Sequence, residues 1–230
     1  QMDNTYPDPV NNIAVAYAQS GNLDRGIFYL ERVLEMQPNY PEGHNNLASF
    51  LIQKNEFTKA EASLHRAIKL RPHYGKAYYN LGKVFYAQNR MQEAYDNFKN
   101  ACTIADLDTA AGFETFGKIC IALNKYSEAI EAFKNMYRYQ PNFETIFHIA
   151  NAYHLNNQFK EALSWYSKAE TFAPKDFRVP YNIGETLARL GDYEKALVYF
   201  QKAKGMNYPH PNLSVRVAYC LRNLQRTDEA

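Results

Sequence analysis

The stretch Gly75–Asp108 reads GKAYYNLGKVFYAQNRMQEAYDNFKNACTIADLD and describes one helix, a turn and a second helix. Its first half repeats Tyr78, Leu81, Gly82 and Phe85 at helical spacing on one face. Its second half does the same with Ala94, Phe98 and Ala101, and Asn89 stands between them where a helix must stop. Neither helix can hide its apolar stripe alone. Packing the two together still leaves their outer sides in need of neighbours, so the unit must be stacked.

The neighbours appear when the stretch is slid along the chain. With Ala94 as the marker, small residues fall at Gly26, Ala60, Ala94, Ala129, Ala162, Ala196 and Ala230, at intervals of 34, 34, 35, 33, 34 and 34 residues. Upstream of each comes a pair of large and small residues: Ile13/Ala14, Leu47/Ala48, Leu81/Gly82, Phe116/Gly117, Ile149/Ala150, Ile183/Gly184 and Val217/Ala218. Four positions past the marker stand Leu30, Leu64, Phe98, Phe133, Tyr166 and Phe200.

A period near 34 residues with this order of large, small and aromatic positions resembles the tetratricopeptide repeat, over nearly the whole chain from Pro7 to Ala230. The closing proline of that pattern is present as Pro38, Pro72, Pro141 and Pro174, and is replaced by Asp106 and Tyr208. The tryptophan position is held by Val10, His44, Tyr78, Phe113, Ile146, Pro180 and Ser214. The resemblance implies an all-α fold, a right-handed α-solenoid of six full helix-turn-helix repeats and a partial seventh. The expected repeats are 7–40, 41–74, 75–108, 110–142, 143–176, 177–210 and 211–230, in one superhelical domain spanning 1–230. Because 226–230 matches only the opening of a second helix, the natural protein is expected to continue past Ala230, and the exposed last helix offers a route to self-association.

The helix stops are explicit. Gly21, Asn55, Asn89, Asn124, Asn157, Gly191 and Gln225 occupy one position of the repeat, and glycine and asparagine tolerate the left-handed backbone that closes a helix. Helices are therefore expected near 8–20, 24–37, 42–54, 58–71, 75–88, 92–105, 110–123, 127–140, 143–156, 160–173, 178–190, 194–206 and 211–224. The 46% hydrophobic and 22% charged content suits a packed, water-soluble chain, and a net charge of +2 gives no general pull on nucleic acid or an anionic membrane. No apolar run approaches a membrane span and no signal peptide is visible, which gives a cytoplasmic placement as the expectation. Cys102, Cys120 and Cys220 form no CxxC pair and read as reduced packing residues.

In arrays of the resembled family the first helix of each pair lines the concave surface. Asn12, Asn46 and Asn80 fall there, and Asn182 returns three repeats later, while Thr115, His148 and Arg216 interrupt the series. A carboxamide carries both a donor and an acceptor, so a column of them can pair with the N–H and C=O of an extended peptide whatever its side chains. The column resembles that of the superhelical arm of O-GlcNAc transferase. Flanking it are Tyr79, Lys83 and Tyr86 with Lys76 and Lys118 nearby, then Phe147, Asn151, His154, Arg178, Tyr181, Arg189, Tyr219 and Arg222, an aromatic and basic set of the kind that carries interface energy. Asp8 and Glu42 make the opposite end mildly acidic, so a peptide with acidic residues would favour the later repeats.

The chaperone-tail clamp of the same family requires a lysine where this chain has Asn11, Asn45, Tyr79, Glu114, Phe147, Tyr181 and Val215, and is disfavoured. No catalytic or metal signature is present: there is no HExxH, no phosphate-cradling glycine loop and no nucleophile elbow. His148 and His154 are six residues apart, unlike metal ligands spaced by four, and His44, His65, His73 and His210 are scattered. No cofactor is expected. Three functions stay open: a non-catalytic scaffold holding an extended or helical protein segment, a recognition arm of a larger enzyme such as a glycosyltransferase, and a single-stranded RNA reader disfavoured by the near-neutral charge.

Overall fold

The computed structural model describes residues 7–104, 110–206 and 211–225, and among them the chain is all helical. It divides into two compact units, Gln1–Asp108 and Thr109–Ala230. The first holds three helix pairs: α1 (Pro7–Gln19) with α2 (Leu23–Met36), α3 (Pro41–Gln53) with α4 (Phe57–Leu70), and α5 (Gly75–Ala87) with α6 (Met91–Thr103). The second holds α7 (Ala110–Ala122) with α8 (Tyr126–Tyr139), α9 (Phe143–Leu155) with α10 (Phe159–Phe172), α11 (Arg178–Arg189) with α12 (Tyr193–Gly205), and then α13 (Leu213–Asn223).

Each stop has the same construction. Gly21, Asn55, Asn89, Asn124, Asn157, Gly191 and Gln225 all have φ between 57° and 85°. After the first six of them the next amide reaches back five residues, as in Glu56 N to Leu51 O at 2.9 Å and Arg90 N to Phe85 O at 2.8 Å, which satisfies a carbonyl the helix would otherwise orphan. Most helices end one residue before the expected limit, because the residue ahead of the left-handed one is already a cap; Gln88 after α5 shows this. The last helix begins at Leu213, not 211, since Asn212 serves as its N-cap. Asp106, Tyr208, His210 and Ala230 lie outside the described residues.

Packing follows size matching across each pair. Ala60, Ala94, Ala129, Ala162 and Ala196 are wholly buried, as are the large residues four positions on. Gly82, Gly117 and Gly184 sit directly under the rings of Phe98, Phe133 and Phe200: a Cβ on Gly82 would lie 2.7 Å from Phe98, and one on Gly184 2.7 Å from Phe200. Where the first helix carries Ala14 or Ala48 instead, the matching residue is the smaller Leu30 or Leu64, while the α9–α10 pair departs from this matching with Ala150 and the larger Tyr166. Across repeats the first helices also approach one another, α1 with α3 and α3 with α5 in one unit, α9 with α11 and α11 with α13 in the other, while the second helices do not meet to the same extent. Within each unit the first helices therefore form the inner face.

The Phe98 seat gives a direct test. Gly82→Ala should cost about 1–3 kcal/mol through overpacking against a fully buried ring, read as a lower urea midpoint. An unchanged midpoint would show that the ring can move aside without loss.

Candidate functional site

In the first unit the asparagine column divides by depth. Asn12 is exposed, Asn46 half-buried, and Asn80 only 9% exposed. Asn46 Nδ2 donates to Asn11 Oδ1 at 2.8 Å, and Asn80 Nδ2 donates to Asn45 Oδ1 at 2.9 Å. One amide of each repeat thus reaches back to the residue that precedes the column in the repeat before. That preceding register is buried at four of its seven positions, half-buried at Tyr79 and Glu114 and exposed at Val215. The buried four are Asn11, Asn45, Phe147 and Tyr181, where a step of one residue turns a helical side chain by about 100°, off the inner face and into the stack. Phe147 and Tyr181, expected on the groove, thereby sit in the core at 7% exposure each.

Around the column of this unit, the Tyr79 ring meets Phe98 edge-on at 5.5 Å and the Lys83 ammonium lies over Tyr79 at 5.6 Å, where burial lowers the lysine pKa. Tyr86 is exposed. Glu42, expected to make this end acidic, is paired with Arg71.

The second unit holds an open cavity of about 370 Å³ between α7, α9 and α11. It gathers four of the expected residues, Lys118, His148, Asn151 and Asn182, over an apolar floor of Ile121, Phe133 and Leu155. It also takes in His154. The six-residue gap between the two histidines does not separate them, because steps of three from His148 through Asn151 to His154 follow one ridge of α9.

Every polar side chain here is anchored from one end. Lys118 is paired with Glu114 one turn earlier, and the His148 ring stacks on Phe133 at 5.0 Å. The Tyr166 hydroxyl donates to Asn151 Oδ1, Asn182 Nδ2 donates to the Arg178 carbonyl at 2.8 Å, and His154 Nδ1 lies 2.9 Å from Thr186 Oγ1. Burial lowers the pKa of both imidazoles, with Lys118 adding to the effect at His148 and Arg189 at His154. Ile121, Leu155 and Thr186 were not singled out in the sequence. The first two lie on the helix face that carries Lys118 and Asn151 and could have been found by extending that face one turn.

The basic residues are largely compensated. Arg178 contacts Glu144 at 2.7 Å and Asp176 at 2.8 Å and lies over the rings of Phe143 and Phe147, and Arg216 Nε is 2.8 Å from Glu185. Arg189 and Tyr219 are exposed and, with Arg216, border a second cavity of about 210 Å³ on the other side of α11. Among the described residues no cluster of three or more His, Cys, Asp or Glu could hold a metal ion, and no helix is long and apolar enough to cross a membrane.

Two outcomes follow from these placements. Asn80→Ala should cost about 1–3 kcal/mol, since it strands the buried Asn45 carbonyl, whereas Asn12→Ala on the exposed column position should leave the melting temperature unchanged. Equal melting of the two variants would deny the amide pair any structural role. Second, His148 and His154 titrate below the free imidazole value of 6.5, so the unfolded chain binds more protons through that range. The stability gained by keeping them neutral is complete above that value and lost on acidification. The urea midpoint should fall between about pH 7.5 and about pH 5.5, and less so in a His148→Gln, His154→Gln variant. Identical drops in both proteins would assign the effect to other groups.

No curated protein sequence matches the chain. Among solved structures it is similar to YrrB, described as a TPR protein with an unusual peptide-binding site, at 24% identity over 83% of this chain and 97% of that one, with a TM-score of 0.73. It is similar to a chain of the Naa15/Naa10 complex bound to HypK-THB at 17% identity, covering 97% of this chain and 35% of that one, with a TM-score of 0.76. It is also similar to pilF of Pseudomonas aeruginosa at 20% identity, over 93% and 95% of the two chains, with a TM-score of 0.61. These likenesses are in fold. Family models described as TPR repeat match residues 50–89, and those described as tetratricopeptide repeat match 17–67, 116–177, 75–106 and 178–210. With matches from residue 17 to residue 210 and the stacked helix pairs that go with them, the chain belongs to the tetratricopeptide repeat family.

Proposed function

We propose that the chain is a non-catalytic interaction scaffold that holds an extended peptide segment of a partner protein in the groove between α7, α9 and α11. The observation that carries this reading is the groove's composition: two carboxamides and two neutral imidazoles stand over an apolar floor, a lining suited to backbone N–H and C=O groups and one or two apolar side chains. The fold is one generally used for protein–protein contacts, and YrrB, similar in fold, is described as having a peptide-binding site.

The electrostatics favour backbone recognition over capture of acidic side chains. A carboxylate arriving at Lys118, Arg178 or Arg216 would compete with Glu114, Glu144, Asp176 or Glu185 already in contact. Exchanging one half-exposed ion pair for another yields little. Arg189 is the cation on this face for which no ion pair is seen among the described residues.

Selection of short random peptides displayed on phage against the chain, followed by affinity measurement on a groove variant, tests the reading. Leu155 lines the groove at 40% exposure, so Leu155→Arg adds bulk and charge there without burying them. Selected peptides should bind this variant at least about tenfold more weakly, a loss of about 1.4 kcal/mol. Unchanged affinity would place the binding surface elsewhere.

A further inference from the structure

Thr186, on α11, is wholly buried, and its hydroxyl oxygen has two neighbours: the Asn182 carbonyl at 2.7 Å and His154 Nδ1 at 2.9 Å. A hydroxyl has one hydrogen to give and a carbonyl can only accept, so the Thr186 hydrogen belongs to the Asn182 oxygen. The contact with His154 is then a hydrogen bond only if Nδ1 carries the proton and Thr186 Oγ1 accepts it. In a neutral imidazole this leaves Nε2 with its lone pair bare. Among the described residues Nε2 has no partner, and the ring borders the groove.

We infer that His154 is a backbone-binding acceptor of the groove, held by Thr186 as the Nδ1–H tautomer so that Nε2 takes a hydrogen bond from a backbone N–H of an extended partner segment. The inference rests on the peptide-groove reading. It gives the groove a polarity: Asn182 has its amide nitrogen engaged on Arg178 and keeps Oδ1 for a second donor, while Asn151 has Oδ1 engaged by Tyr166 and keeps Nδ2 for a carbonyl. An extended backbone supplies both kinds of group in alternation.

The same arrangement makes binding depend on pH. Protonation would turn Nε2 into a donor facing another donor, and the partner's N–H would lose its acceptor. The charged group that acts on the His154 ring is Arg189 on α11, with Phe159 of α10 against the ring's edge; Lys118, Glu114, Glu144 and Arg178 act on the neighbouring His148 instead. Burial and Arg189 both hold His154 in the neutral form near neutral pH, so release is expected only on acidification.

The test uses the whole chain labelled with 15N-histidine and 15N-asparagine. In the free protein, long-range 1H–15N spectra should show His154 Nε2 at the position of an unprotonated nitrogen, and Thr186→Val should abolish that preference. An Nε2–H tautomer in the unmodified chain overturns the inference at once. Capped penta-alanine, which offers backbone groups alone, should then shift His154 Nε2 and the Asn182 amide. The same peptide methylated on every amide nitrogen should leave Nε2 unmoved and bind at least about tenfold more weakly, the loss expected for one hydrogen bond. Equal binding and equal Nε2 shifts with both peptides would overturn the acceptor role while leaving the groove reading intact. No shift of any groove resonance with either peptide would remove the groove reading and the role of His154 with it.

Discussion

Everything in this chain depends on how a large side chain of one helix seats on a small residue of its partner. Phe98, Phe133 and Phe200 rest where Gly82, Gly117 and Gly184 provide no Cβ, and the rings are almost fully buried there. The close approach lets the wholly buried alanines at the repeat's marker position sit where two helices meet. A helix pair fixed in this way has one apolar side left over, which is why it must recur.

Recurrence then decides where function can reside. The second helices spend their inner faces on the seat, whereas the first helices meet their counterparts one repeat away and turn a remaining face inward. Side chains on that face are not covered by their own pair. They must find partners one repeat along or stay open to a ligand, and the two units resolve this differently. In the first, Asn46 and Asn80 are used between repeats. In the second, Asn151 and Asn182 are tied at one end only, to a tyrosine and to their own helix. One residue type thus serves as mortar in one unit and as an unfilled valence in the other.

The fold was legible because its period is written in volume. Residues that alternate large, small and aromatic at a fixed interval leave little freedom, and the left-handed stops at Asn55, Asn89, Asn124 and Asn157 mark the helix ends to within a residue or two. The site was legible in part. Lys118, His148, Asn151 and Asn182 line one cavity, and it was the resemblance, which puts first helices on the concave side, that grouped them in the sequence. Phe147 and Tyr181 could not be told from groove residues, because the register next to the column is exposed in an isolated helix and becomes interior only when other helices pack on it, Tyr166 and Phe200 of their own pairs among them. The compensation of Arg178 and Arg216 was hidden for the same reason: Glu144 and Glu185 come from the repeat before.

What a sequence leaves least visible is the state of a side chain whose partner stands some 30 residues away. His154 read as one of the residues flanking the column, with no metal partner. Its chemistry is set by Thr186 on the next first helix, and Thr186 in turn is set by a carbonyl of its own helix. The direction of that hydrogen-bond chain follows from the number of hydrogens available and from nothing else. The proposed recognition by this groove therefore rests on the hydrogen-bond polarity handed from one first helix to the next and not on net charge.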